Sequence, residues 1–286
     1  MICQILTLPI TTSQIQKDQN STGTIHHMND TTVRRKMIWE SAANTNVGMV
    51  RKVNEDSILS KPEIGVWAVA DGMGGYERGD VASKMIVQNL DLLNDDPALA
   101  NIVDSVEDSL ISANEQILEY AEVMLDNGIL GSTIVTLIIR GSVGVCFWVG
   151  DSRLYRYRKG ELKQLSRDHS RVEELIQQGR LTPEEAENHP ESNVITRAVG
   201  VDSDFCVDIN VFNVHIGDTF LLCSDGLYNM LSSDDIIEHM QTQNIDEMVE
   251  SLVESACDNG APDNVSTIVI KGEFEKVIAR DVVINE

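Results

Sequence analysis

Four aspartates share one local setting in this sequence. Asp71 follows the apolar run Val66-Trp67-Ala68-Val69-Ala70, Asp151 follows Phe147-Trp148-Val149-Gly150, and Asp225 follows Phe220-Leu221-Leu222-Cys223-Ser224. Asp263 stands in Gly260-Ala261-Pro262-Asp263-Asn264, just ahead of another apolar run. Each lies where a β-type run meets a turn, and three have a glycine neighbour: Asp71-Gly72, Gly150-Asp151 and Asp225-Gly226. If the runs stack as neighbouring strands, the carboxylates converge at one edge of the sheets. Converging carboxylates repel, and each resists ionisation unless a cation neutralises it. Oxygen ligands without Cys or His favour Mg²⁺ or Mn²⁺, and a glycine lets a backbone carbonyl approach as a further ligand. Asp-Gly is also ordinary turn chemistry, the commoner meaning of any one such pair. The whole set, with its surroundings, favours the metal.

Upstream lies Arg51-Lys52-Val53-Asn54-Glu55-Asp56-Ser57. Arg51 has the geometry to fork onto two phosphate oxygens, while Glu55 or Asp56 supports a metal or its waters. Other phosphate chemistries fit poorly. A cysteine-dependent phosphatase needs Cys and Arg separated by five residues, whereas Cys146 and Arg153 are separated by six on a predicted strand. Gly72-Met73-Gly74-Gly75 lacks the Lys-Ser/Thr that completes a P-loop. Of the histidines, His26 and His27 fall in a loose N-terminal stretch, and His169 and His189 are expected at the surface.

Acidic residues outnumber basic ones 46 to 22, for a formal charge of −24. Nucleic acid would be repelled at long range, and most of these carboxylates read as a solvated surface. No apolar run approaches the ~20 residues a bilayer span needs, and the first ten residues lack the basic start of a signal peptide. Five scattered cysteines without a CxxC pair argue against zinc and a disulfide framework, and for a cytoplasmic protein with reduced thiols.

These site residues need a scaffold. Residues 1–36 are rich in Thr, Ser, Gln and Asn and slightly basic (Lys17, Arg34, Arg35 and Lys36 against Asp18 and Asp30); they read as a flexible extension, or as sequence ahead of a start at Met28 or Met37. Residues 64–70 suit a buried strand. A helix from about Asp80 presents Val81, Met85, Ile86, Leu90 and Leu93, and a second over 101–125 presents Ile102, Val106, Leu110, Ile117, Leu118 and Leu125. β-type runs follow at 132–139, 143–149, 207–211, 219–223 and 265–270, with a hairpin over 154–165 turning at Lys159-Gly160. A polar insert, about 166–199, carries capping boxes at Ser170/Glu173 and Thr182/Glu185. Helices near 234–241 and 246–258 precede the last strand, and 275–286 form a tail. Strands and helices in blocks indicate an α+β protein with antiparallel sheets.

Six segments, Arg51–Asp56, Val69–Gly75, Gly131-Ser132-Thr133, Val149–Arg153, Cys223–Leu227 and Asp263–Ser266, resemble in order the motif series of the metal-dependent protein phosphatase 2C family, most closely its bacterial serine/threonine phosphatases. The resemblance spans about residues 39–272. It implies a catalytic domain over 37–274 with a central antiparallel β-sandwich flanked by helices on both faces, a four-layer α-β-β-α arrangement. It also implies two Mn²⁺ or Mg²⁺ ions, with room for a third. Asp71 would bridge the first two ions and the Gly72 carbonyl would bind one. Asp225 and Asp263 would complete the shell of the first ion. Glu55 and Asp56 would serve the second ion directly or through waters. Asp151, with Asp225, would hold the third.

By the same resemblance Arg51 grips phosphate and 166–199 is a substrate-touching flap. Met73 replaces the histidine of eukaryotic relatives, leaving a water on the metal as the proton source for the departing oxygen. The implied substrates are phosphoserine and phosphothreonine proteins. The implied partners are a bacterial serine/threonine kinase and its targets, with the surroundings of Asp71 and Asp80 similar to phosphatases of type VI secretion loci. Neither nucleic acid nor a membrane is implied, and the chain is expected to be a monomer. A non-catalytic phosphoprotein-binding module of the same fold is the rival; retention of Asp71, Asp225, Asp263 and Arg51 speaks for the enzyme.

Overall fold

The computed structural model describes residues 37–74, 78–126, 128–186 and 189–274; the expected N-terminal extension and C-terminal tail lie outside them. The β-branched and aromatic runs pair into two antiparallel sheets. One has the order β1-β11-β10-β7-β8, formed by Met37–Asn46 (β1), Val265–Phe274 (β11), Thr219–Cys223 (β10), Arg153–Arg158 (β7) and Glu161–Gln164 (β8). The other has the order β2-β3-β5-β6-β9, formed by Asp56–Lys61 (β2), Val66–Gly74 (β3), Ile134–Arg140 (β5), Val143–Val149 (β6) and Asp208–Asn213 (β9). Leu130–Ser132 (β4) adds to the far end of β3. The β7–β8 hairpin turns through Lys159 and Gly160, both at positive φ (53° and 87°), the pair of left-handed residues that a twisted two-residue hairpin demands.

Alternate residues of each strand face opposite ways, and each face finds its own cover. Val66, Ala68 and Ala70 of β3 pack under helices Gly79–Asp91 (α1) and Leu99–Met124 (α2), against Ile86, Leu90, Ile102, Val106 and Leu110. Trp67 and Val69 face the other way, into a layer with Val135, Leu137, Trp148, Leu154, Phe220, Leu222, Ile268 and Ile270 between the sheets. Leu221, Cys223 and Val269 pack outward under Asp225–Tyr228 (α5), Ser233–His239 (α6) and Ile245–Asp258 (α7). The four-layer α-β-β-α arrangement follows from these three apolar layers.

Several boundaries differ from the expectation. β3 does not stop at Ala70; it runs on to Gly74 because Gly72, Met73 and Gly74 pair with β4, so Asp71 sits inside a strand rather than at a turn. On α1 the buried line is Ala82, Ser83, Ile86 and Leu90, with Val81 and Met85 only partly covered. β1, β2 and the single turn α5 carry no apolar run long enough to be seen in sequence. The insert is as polar as expected: it holds two short helices, Arg171–Gln177 (α3) and Pro183–Ala186 (α4), and Thr182 and Glu185 form a reciprocal capping box. Among the described residues no helix is long and apolar enough to cross a membrane.

Candidate metal centre

The apolar layer between the sheets changes character at one end. Two positions beyond Val69 stands Asp71; two before Ile58 stands Asp56. Two beyond Leu222 stands Ser224, and two before Ile268 stands Ser266. The same inward-facing positions that bury Trp67 and Phe220 thus end in a polar layer. Asp56 and Asp71 are direct cross-strand partners of β2 and β3, where like charges destabilise a sheet. Asp225 opens α5 right after β10, Asp263 precedes β11, and Asp151 lies in the turn between β6 and β7, so these carboxylates arrive at the same end.

Their mutual effect is large. Asp56 is 7% exposed, and its pKa is pushed up to about 6 by burial, with hydroxyls of Ser266 and Ser224 opposing and the charges of Asp225 and Asp263 adding to the rise. Asp71 is held well above the ordinary carboxylate range by burial and then by Asp56, Asp225, Asp151 and Asp263. Burial and Asp263 raise Asp225 to about 6; burial, Asp225 and Asp168 raise Asp151 to about 7. Asp56 Oδ2 accepts from Ser224 Oγ at 2.9 Å, yet Asp56 Oδ1 and Asp225 Oδ1 are buried with no hydrogen-bond partner. Buried polar oxygens left this way are costly.

The backbone beside Asp71 is equally exposing. A Cβ at Gly72 would lie 2.2 Å from the Gly79 carbonyl oxygen and 2.5 Å from that of Glu55, so only glycine lets these three stretches meet. Glu55 Oε1 accepts from the Gly79 N–H at 2.6 Å. Arg51 Nη2 reaches Asp263 Oδ2 at 2.7 Å across a half-exposed ion pair. Among the described residues, no three His, Cys, Asp or Glu side chains are grouped closely enough to hold one ion between them as they stand. Asp263 is turned onto Arg51 and Glu55 onto the Gly79 N–H. The donor set nonetheless fits a hard divalent cation, for it is all oxygen, in excess negative charge, with two orphaned carboxylate oxygens and a guanidinium already drawn in.

Several side chains of the motif segments position the site through contacts that the sequence does not reveal. Asn264 accepts from the Glu55 N–H at 2.8 Å and donates to the carbonyls of Val47 and Val53 at 2.9 and 3.0 Å, stapling the Arg51 loop to the start of β11. Ser132 Oγ donates to the Asp71 carbonyl at 2.9 Å, while Thr133 Oγ1 accepts from the Asp71 N–H at 3.2 Å. Arg153 forks onto Asp168 (2.6–3.1 Å), donates to the Tyr155 hydroxyl at 2.9 Å and lies 3.5 Å above the Tyr228 ring. This group borders a polar cavity of about 610 Å³ between the insert and α5–α6, reaching Asp151. His169, expected at the surface, is instead largely buried at the start of the insert, its side chain 10% exposed with Trp148 stacked on it.

A family model described as protein phosphatase 2C matches residues 50–264. The chain belongs to the protein phosphatase 2C family. It is 34% identical over 236 residues to the serine/threonine protein phosphatase PstP of Mycobacterium tuberculosis, covering 82% of this chain and 45% of that one; it thus spans less than half of that relative's length. It is 36% identical over 238 residues to the serine/threonine phosphatase stp of Listeria monocytogenes, covering 80% and 94%. Among solved structures, PppA, described as a key regulatory component of the type VI secretion system in Pseudomonas aeruginosa, matches with a TM-score of 0.76 at 39% identity, covering 83% of this chain and 100% of that one. The catalytic domain of PstP in complex with two manganese ions matches with a TM-score of 0.75 at 32% identity, covering 83% and 99%. In this phosphatase 2C chain the acidic end of the sandwich holds most of the motif residues that the sequence singles out.

Proposed function

We propose that this protein is a metal-dependent phosphatase that hydrolyses phosphoserine and phosphothreonine in proteins. The observation that carries the reading is the surplus of buried negative charge at one end of a phosphatase 2C fold, with orphaned oxygens on Asp56 and Asp225. In this reading Asp71 would serve two ions, the Gly72 carbonyl would bind one of them, and Asp225 and Asp263 would complete the ligands of the first ion. Glu55 and Asp56 would serve the second ion directly or through waters, and Asp151 with Asp225 would hold a third. Such cations, Mn²⁺ or Mg²⁺, supply Lewis acidity that acidifies water and neutralises phosphoryl oxygens.

The chain's own part is binding and orientation. Arg51, half-exposed on its ion pair with Asp263, would turn onto the phosphate and fork two of its oxygens. Met73 has no proton to give, so the departing serine or threonine oxygen takes its proton from water. The catalytic domain runs over 37–274, and the insert 166–199 is the flap that meets the phosphoprotein. The likeness to PppA, described as a key regulatory component of the type VI secretion system, supports a type VI secretion setting; a cytoplasmic monomer acting opposite a bacterial serine/threonine kinase completes the proposal.

The test is hydrolysis of a phosphothreonine peptide by metal-stripped protein with and without added Mn²⁺, beside Asp225→Ala. Turnover that needs the metal and collapses in the variant supports the reading. A folded native protein with no turnover at any Mn²⁺ or Mg²⁺ level would overturn it.

A further inference from the structure

We propose that His169 is a positioning residue that clamps the Gly150–Asp151 turn to the root of the insert. The His169 N–H donates to the Gly150 carbonyl at 2.8 Å, and the ring Nδ1 accepts from the Gly150 N–H at 3.1 Å. One residue thus holds both backbone polar groups of the position before Asp151. Gly150 needs such a hold. It sits at φ +103°, with Thr133 Cγ2 only 2.6 Å from where a Cβ would lie. Glycine is therefore required there, and glycine alone leaves the turn loose.

The surroundings fix the ring's state. Because Nδ1 accepts, the proton sits on Nε2, which faces Asp208 Oδ2 at 3.3 Å. Arg197 Nη1 lies 3.0 Å from the same Nε2 and 2.7 Å from Asp208 Oδ1. Asp208 therefore takes both donors, and Arg197 opposes a second proton on the ring. Trp148 stacks on the imidazole with centroids 6.1 Å apart and itself donates to the Arg167 carbonyl at 2.6 Å. Burial and Arg197 hold the His169 pKa below its ordinary value, in keeping with a neutral Nε2–H ring.

The clamp also reaches the insert's far end. The Thr196 N–H donates to the His169 carbonyl at 2.8 Å, and Val199 exchanges two backbone hydrogen bonds with Ser132 at 2.9 and 3.0 Å. Ser132 in turn donates to the Asp71 carbonyl. Both roots of the insert are thereby pinned to the strand ends that aim Asp71 and Asp151, so a protein seated on the insert bears on the acidic site through these contacts. The part of this inference that concerns turnover rests on the phosphatase reading; the clamp does not.

His169→Asn keeps an acceptor near the position of Nδ1, while His169→Leu fills similar space without one. Nitrogen-15 shifts of the native imidazole should report the Nε2–H tautomer. The Gly150 amide should exchange with solvent about tenfold faster in His169→Leu, as for one lost hydrogen bond, and near the native rate in His169→Asn. With Mn²⁺ present, kcat/KM for a phosphothreonine peptide should fall about tenfold or more in His169→Leu and largely recover in His169→Asn, the size usual for residues that orient a metal site. An Nδ1–H tautomer in the native protein, which needs no variant to measure, would overturn the clamp. So would Gly150 exchange unchanged in His169→Leu, or equally fast in His169→Asn. A native protein without turnover whose Gly150 amide still depends on His169 would sink the phosphatase reading and support the clamp.

Discussion

Along β3, Trp67 and Val69 sit in the dry layer between the sheets, and two residues later Asp71 occupies the same face among other carboxylates. The apolar stretch packs on itself: Phe220 lies against Trp39 and Phe212 at ring separations of 5.9 and 5.8 Å, and the buried Trp67 Nε1, though without a hydrogen-bond partner, carries no charge. The acidic stretch is not complete, since burial there raises the pKa of Asp56, Asp71, Asp151 and Asp225 together. One strand therefore contributes rigidity at its middle and unrelieved charge at its end. The lesson is that the stable part of the sandwich holds the unstable part in place, as a preorganised electrostatic site requires.

Substitutions should separate the two regions. Phe220→Ala should cost about 3–5 kcal/mol of stability in denaturant unfolding, while the stabilisation gained on adding Mn²⁺ stays near that of the native protein. Asp71→Asn should do the reverse. Metal-activated turnover should drop by about 10²–10³-fold, yet at neutral pH the metal-free variant should unfold at a higher temperature than the native protein, because one of several repelling charges is gone. If Asp71→Asn destabilised the metal-free protein as Phe220→Ala does, the contrast between the regions would fail. Ser224→Ala should have the smallest effect. It removes the hydroxyl that donates to Asp56 Oδ2 and accepts from the Ser266 N–H at 3.0 Å, and should cost about 1–3 kcal/mol, read from the unfolding midpoint.

Much of the candidate site is legible in the sequence because aspartates at the ends of apolar runs are local signals. Asp151, Asp225 and Asp263 are found that way, and so is the Lys159-Gly160 hairpin. What escapes is whatever depends on distant partners. β1, with Ser41, Ala42, Ala43, Asn44, Thr45 and Asn46, looks like loop, yet it is a strand because Val265–Phe274 pairs with it from the other end of the chain. β2 begins with an aspartate and owes its place to β3. His169 sits in a polar stretch that reads as surface, and its burial comes from Trp148, Gly150, Arg197 and Asp208. Asn264 stands in a motif that was visible, but its three hydrogen bonds to the 47–55 loop were not.

In the metal-free protein, burial and mutual repulsion favour protonated carboxyl groups at the acidic end, and a bound cation should displace those protons. Carboxyl groups whose folded pKa lies above the unfolded value of 3.8 favour folding most below that value, and their contribution is lost as pH rises toward about 6–7. Metal-free native protein should therefore lose stability over that window, more steeply than Asp71→Asn. The most direct measurement is calorimetric titration of Mn²⁺ into metal-free protein at pH 6, repeated in buffers of different ionisation enthalpy to count protons released. Saturable binding is expected, with net proton release that shrinks as the pH is raised to 8 and falls in Asp71→Asn. Binding with no proton release at pH 6, or no binding by well-folded protein, would contradict that displacement.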